Sequence, residues 1–133
     1  MVSTQAADAA FQSFGRCCKN EVFFEDFYTT FQATSEDIRR MFVNTNMAEQ
    51  RRLLRAGVMW LLMYARGASG GKLEHLAKTH NRDGYNVNPA LYSLWVDALL
   101  ETVRKHDPQY NVDLDRHWRD AVRPGIEIIQ KGW

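Results

Sequence analysis

Two cysteines among 133 residues, adjacent at Cys17 and Cys18, cannot staple distant parts of a fold together. A bond between such neighbours would be strained, so both read as reduced thiols and the fold must hold by its core alone. Long apolar runs are missing too. The longest, "GVMWLLMYA" from Gly57 to Ala65, lies between Arg55 and Arg66 and is too short to span a bilayer. The opening "MVSTQAADAAF" lacks the basic segment and apolar run of a signal peptide, which leaves the cytoplasm as the expected compartment. Neither sign of charge is in excess: 17 Lys and Arg against 16 Asp and Glu give a formal net charge of +1, with no electrostatic ground for a nucleic-acid or anionic-membrane partner. The basic pairs Arg39-Arg40 and Arg51-Arg52 read as solvated helix faces. No internal repeat, low-complexity linker or strand-like alternation occurs.

What is present is an apolar content of 45%, enough for a chain of this length to bury one core as a single domain over residues 1–133. Its pattern is helical nearly throughout. A first helix is expected from about Thr4 to Cys18, capped by Ser3, with Ala7, Ala10, Phe11 and Phe14 on one face. A second, from about Asn20 to Gln32, sets Phe24, Phe27, Tyr28 and Phe31 in one aromatic stripe. "TSEDIRRMF" predicts a short helix with Thr34 or Ser35 as cap and acidic residues in its first turn.

In "NMAEQRRLLRAGVMWLLMYARG" the offset of Asn46 and Glu49 is that of a capping box. Gln50, Leu53, Leu54, Gly57, Val58, Leu61, Leu62 and Ala65 then follow one face. A fifth helix is expected over about Lys72 to His80. A sixth should run from Pro89 to His106 with Asn88 as cap and Leu91, Trp95, Val96, Leu99, Leu100 and Val103 inward. The last begins near Asp113 with Trp118, Val122, Ile126 and Ile129 inward, and Pro124 predicts a kink or restart. About seven helices fit either a bundle or the globin arrangement.

Four histidines bear on that choice. His80 ends the fifth helix, where carbonyls of the last turn are free to hold one ring nitrogen while the other points outward. An inward histidine is more often a hydrogen-bonded core residue than a metal ligand. His75 points to the opposite side of that helix, and His106 and His117 read as surface residues. Together the four lack the spacing of a zinc site. Phe42 and Tyr28 read equally well as plain core. Gln50 is harder to place there, because an unpartnered buried amide costs on the order of 1–3 kcal/mol.

The segments "FFEDFYTTF", "RRMF", "EQRRLL", "LAKTH" and "NPALYSLWVDALLETV", in that order, resemble a bacterial single-domain globin and are similar to the globin module of flavohaemoglobins. The resemblance covers almost the whole chain and implies an all-α globin fold around haem b. It implies His80 as iron ligand, Tyr28 and Gln50 over the open coordination position, and Phe42, Leu54 and Tyr92 against the haem. The implied activity is reversible binding of O2, NO and CO, with oxidation of NO to nitrate as a chemical use. No flavin- or nicotinamide-binding segment follows within the 133 residues, so turnover is expected to need an external reductase.

A gas or redox sensor acting through a partner protein is the second reading. A helical interaction module without cofactor is the third. A monomer or weak homodimer is expected. Two departures from the flavohaemoglobin pattern stand out: Trp133 falls near the place of a glutamate that tunes the iron, with Glu127 about two turns too early, and the connection from Phe42 to Gln50 is short.

Overall fold

A computed structural model describes residues 2–133. Among them the chain forms seven helices and no strand: α1 Thr4–Cys17, α2 Phe23–Gln32, α3 Glu36–Met41, α4 Met47–Ala65, α5 Gly71–His80, α6 Leu91–His106 and α7 Val112–Lys131. Four of them begin on the polar cap that the local sequence offers. Ser3 accepts from the Ala6 amide at 3.0 Å, Ser35 from Asp37 at 3.1 Å, Asn46 from Glu49 at 3.2 Å and Asn111 from Leu114 at 2.8 Å.

The core forms where the inward faces meet. α7 is the central element, packed against α1, α4 and α5, while α2 packs mainly on α6. The aromatic stripe of α2 is buried at Phe24, Phe27, Tyr28 and Phe31, and Phe23 is fully buried beside it. Trp118 is fully enclosed and meets Phe14 edge-on at 6.1 Å between ring centroids. No helix among the described residues is long and apolar enough to cross a membrane. Cys17 and Cys18 are free thiols, and burial, followed by the negative charge of Asp107, pushes the Cys17 thiol up to about 12.

Several sequence expectations are corrected. α7 runs through Pro124 as one helix, so the restart expected there does not occur. The lost amide donor is tolerated because buried Trp118 and Val122 before it, and Gly125, Ile126 and Ile129 after it, anchor the axis on both sides. Gly125 marks the closest approach: a Cβ there would lie 2.5 Å from Leu61 Cδ2 and 3.0 Å from Leu73 Cδ1. α2 starts at Phe23, because Asn20 to Val22 form a turn in which the Asn20 side chain accepts from the Val22 amide. α6 starts at Leu91, since Asn88 caps only the turn before it through the Ala90 amide. Leu53 is exposed on α4 and not on its inner face.

His106 is not a surface residue. Its side chain is 8% exposed and its Nε2 lies 2.6 Å from Asp26 Oδ2. Its Nδ1 lies 2.9 Å from Asn20 Nδ2, and its ring packs on Phe23. His117 is likewise half-buried.

Candidate ligand-binding site

Tyr28, Phe42 and Gln50 come from α2, the end of α3 and the start of α4, and they meet. Gln50 Nε2 donates to the Tyr28 hydroxyl at 3.1 Å, and that hydroxyl lies 3.4 Å from the Gln50 main-chain oxygen, a long contact. The Phe42 ring stands edge-on to Tyr28 at 5.3 Å and packs near Phe31 at 6.2 Å. Burial pushes the Tyr28 phenol up to about 12, opposed by the bond from Gln50, so it is a neutral hydrogen-bond donor at any physiological pH. Leu54, one turn along α4 from Gln50, is buried in the core. The short Phe42–Gln50 connection is made by a turn and the Asn46 cap, which bring α4 directly against Tyr28.

His80 occupies the last turn of α5. Its Nδ1 lies 2.9 Å from the Leu76 carbonyl oxygen and 2.9 Å from the Thr79 hydroxyl, which itself donates to Leu76 at 3.0 Å. A carbonyl can only accept, so Nδ1 carries the proton and Nε2 carries the lone pair. Burial lowers the His80 pKa from 6.5 against the opposing pull of the Leu76 carbonyl, which keeps the ring neutral at pH 7. Among the described residues Nε2 has no hydrogen-bond partner.

The loop that follows is tightly braced. Asn81 Oδ1 accepts from the Asp83 and Gly84 amides, the Tyr85 amide donates to Thr79 at 2.8 Å, and the Val87 amide donates to the His80 carbonyl at 2.9 Å. Asn86 adopts φ 56°, a conformation asparagine tolerates. The Tyr85 ring stands edge-on to His80 at 6.0 Å.

No hydrogen bond or ring contact among the described residues links His80 to the Tyr28 group. Tyr92 stands on the first turn of α6, half-buried, its phenol pushed up to about 12 by burial. It lines a cleft of about 320 Å³ with Val96, Val122, Ile126 and Gln130, away from Tyr28 and Gln50. The same half of α6 leaves Leu91, Leu94, Trp95 and Val96 only half-buried, whereas Ala98, Leu99, Leu100 and Val103 further along are enclosed.

The sequence resemblance had pointed to Tyr28, Gln50 and His80 but not to Leu76, Thr79 or Tyr85. The Leu76 carbonyl is main chain and leaves no mark in the sequence. Thr79 is visible only as a hydroxyl next to a histidine, and Tyr85 lies in a loop without periodicity.

The donor set indicates what can bind. Among the described residues no group of three or more His, Cys, Asp or Glu side chains could hold a bare metal ion. One neutral imidazole with a braced Nδ1 and, among the described residues, an unpartnered Nε2 suits an iron macrocycle that brings its other ligands with it. The residues present therefore fit haem.

No family model matches the chain, and no curated protein matches it. A crystal structure of a Pseudomonas aeruginosa protein, described as structurally highly homologous to a human haemoglobin, is similar to it with a TM-score of 0.94 and 46% identity, over 96% of this chain and 98% of that one.

Proposed function

The chain belongs to the globin family and has the globin fold, and from that premise we propose that it binds haem b through His80 and takes O2, CO and NO reversibly. The observation that carries this reading is the state of His80: proton on Nδ1, held by Leu76, and a free lone pair on Nε2 in a half-buried setting. Haem, when bound, supplies an iron that accepts a diatomic gas.

The chain's own residues do the rest. Leu76 and Thr79 hold the imidazole in one tautomer and strengthen it as a ligand. Phe42, Leu54 and Tyr92 offer apolar surface to the macrocycle and exclude water. Tyr28 and Gln50 would present hydrogen-bond donors to a gas on the haem, where they would favour a polarised ligand such as O2 over CO. The resemblance of the sequence segments to the flavohaemoglobin module is the ground for oxidation of NO to nitrate by O2 as the further use, with the electron coming from a separate reductase.

The test is reconstitution with hemin. A Soret band that moves on adding dithionite and then CO supports the reading, and a chain that stays colourless overturns it. In His80→Ala the reconstituted spectrum should lose its axial-histidine character and the gain in melting temperature on adding hemin should shrink, because a ligand held only by the folded state stabilises it. An unchanged spectrum in that variant would remove His80 as the ligand.

A further inference from the structure

α5 rests chiefly on α7 and only lightly on α4, so the pose of His80 relative to the core is set from the α7 side. Three contacts from the end of α7 fall on the segment that carries His80. Gly132 backs onto Ala77, one turn before the histidine, so closely that a Cβ on Gly132 would lie 2.7 Å from the Ala77 Cβ. The Arg82 guanidinium, two residues after the histidine, lies 5.2 Å from the centre of the Trp133 ring. Gln130 Nε2 donates to the Pro89 carbonyl at 3.2 Å, where the loop ends.

The loop between these points is internally rigid. Asn81 and the main-chain bonds to Thr79 and His80 close it, and a Cβ on Gly84 would meet the Thr79 oxygen at 2.3 Å. A rigid segment held at three points cannot turn about the α5 axis without breaking a contact.

We propose that Gln130, Gly132 and Trp133 form a clasp that positions the His80 imidazole toward the haem iron. This rests on His80 being the ligand. These are positioning residues, acting through the Ala77–Pro89 segment. Shape at Gly132 and a cation–π contact at Trp133 hold that segment.

The test uses the full chain loaded with hemin and compares Trp133→Ala, Trp133→Phe and Arg82→Gln with His80→Ala. The readouts are the iron–histidine stretching band in the resonance Raman spectrum of the ferrous protein, the rate of hemin transfer to an excess haem scavenger, and melting of the apoprotein. Trp133→Ala should shift or broaden the band and speed hemin loss by about 10-fold to 100-fold, the range for losing a group that orients a ligand. Arg82→Gln should act in the same direction, and Trp133→Phe, which keeps a ring under the guanidinium, should stay near the parent.

Variants that lower apoprotein melting yet leave the band and hemin loss unchanged would overturn the clasp and reduce these contacts to fold support. Should Trp133→Ala not fold, Arg82→Gln, at an exposed position, decides alone. A band that survives in His80→Ala would instead sink the ligand assignment, and the clasp with it.

Discussion

Around Asp107 every polar group is engaged, whereas around Tyr28, Gln50 and His80 bonding capacity is left over. Asp107 is fully buried, yet it accepts from Ser13 Oγ at 2.6 Å, from Arg16 Nε at 2.8 Å and Nη2 at 2.9 Å, and from the Gln109 amide at 2.9 Å. Ser13 in turn accepts from Trp118 Nε1 at 2.9 Å. Gln50, by contrast, places an amide hydrogen on Tyr28 and has another in hand, and among the described residues His80 Nε2 has no partner. A closed network ties α1, α6 and α7 into one unit. An open one is a poor way to stabilise a fold and a good way to hold a ligand. The difference separates polar residues that fold the chain from those that equip it.

The sharpest way to break that contrast is Asp107→Ala. It should destabilise by about 3 kcal/mol, the low end for breaking a buried pair, because Arg16 is partly exposed and can turn to water. Urea unfolding measures it, and the hemin stoichiometry of the folded fraction should not change. A loss below about 1 kcal/mol would mean that the network adds no more than an ordinary hydrogen bond.

Next in size is the acid response. Burial alone would raise the Asp107 pKa, but the bonds from Arg16, Ser13 and Gln109 outweigh it and hold the carboxyl below 3.8. A depressed folded pKa contributes stability that is complete above 3.8 and is lost as pH falls through the lower folded value. Melting temperature should therefore fall below about pH 4 in the parent and fall less steeply in Asp107→Asn. Parallel profiles would exclude Asp107 as the titrating group.

On the open side, Tyr28→Phe should cost less than about 1 kcal/mol of stability, since the hydroxyl makes only partly buried bonds. The same change should speed O2 release by roughly 10-fold to 100-fold and leave CO release nearly unchanged, which stopped-flow displacement resolves. Gln50→Leu is the smallest of the set. It should speed O2 release in the same direction, and less than additively with Tyr28→Phe if Gln50 mainly orients the phenol. O2 release unchanged in both variants would sink the distal assignment.

The helices were legible in advance because each carries a 3.6-residue apolar period, and four of them, α1, α3, α4 and α7, also have a Ser or Asn at the start. The caps Ser3, Ser35 and Asn46 needed only neighbours in sequence. Tyr28, Gln50 and His80 were legible as inward polar residues, and as a site only through the resemblance; the structure brings Tyr28, Phe42 and Gln50 into contact. The Asp107 network was not legible, because Ser13 and Trp118 lie 94 and 105 residues from their partners. His106 was misread for the same reason: Asp26, whose carboxylate meets its ring, lies 80 residues earlier.

Local sequence decides where the capped helices α1, α3, α4 and α7 begin, which stripe of each helix is apolar and which neutral side chains can donate or accept, since these depend on spacing along one stretch of chain. It settles seven helices and a histidine at the end of the fifth. Tertiary structure alone decides that α7 passes unbroken through Pro124, that Gly125 lets it close on Leu61 and Leu73, and that Asp107 is satisfied by Arg16 and Ser13. It also decides that the end of α7 reaches Ala77, Arg82 and Pro89 around His80. Those outcomes depend on which surfaces exclude water from each other, and burial of that kind is a property of pairs of elements that no single segment carries.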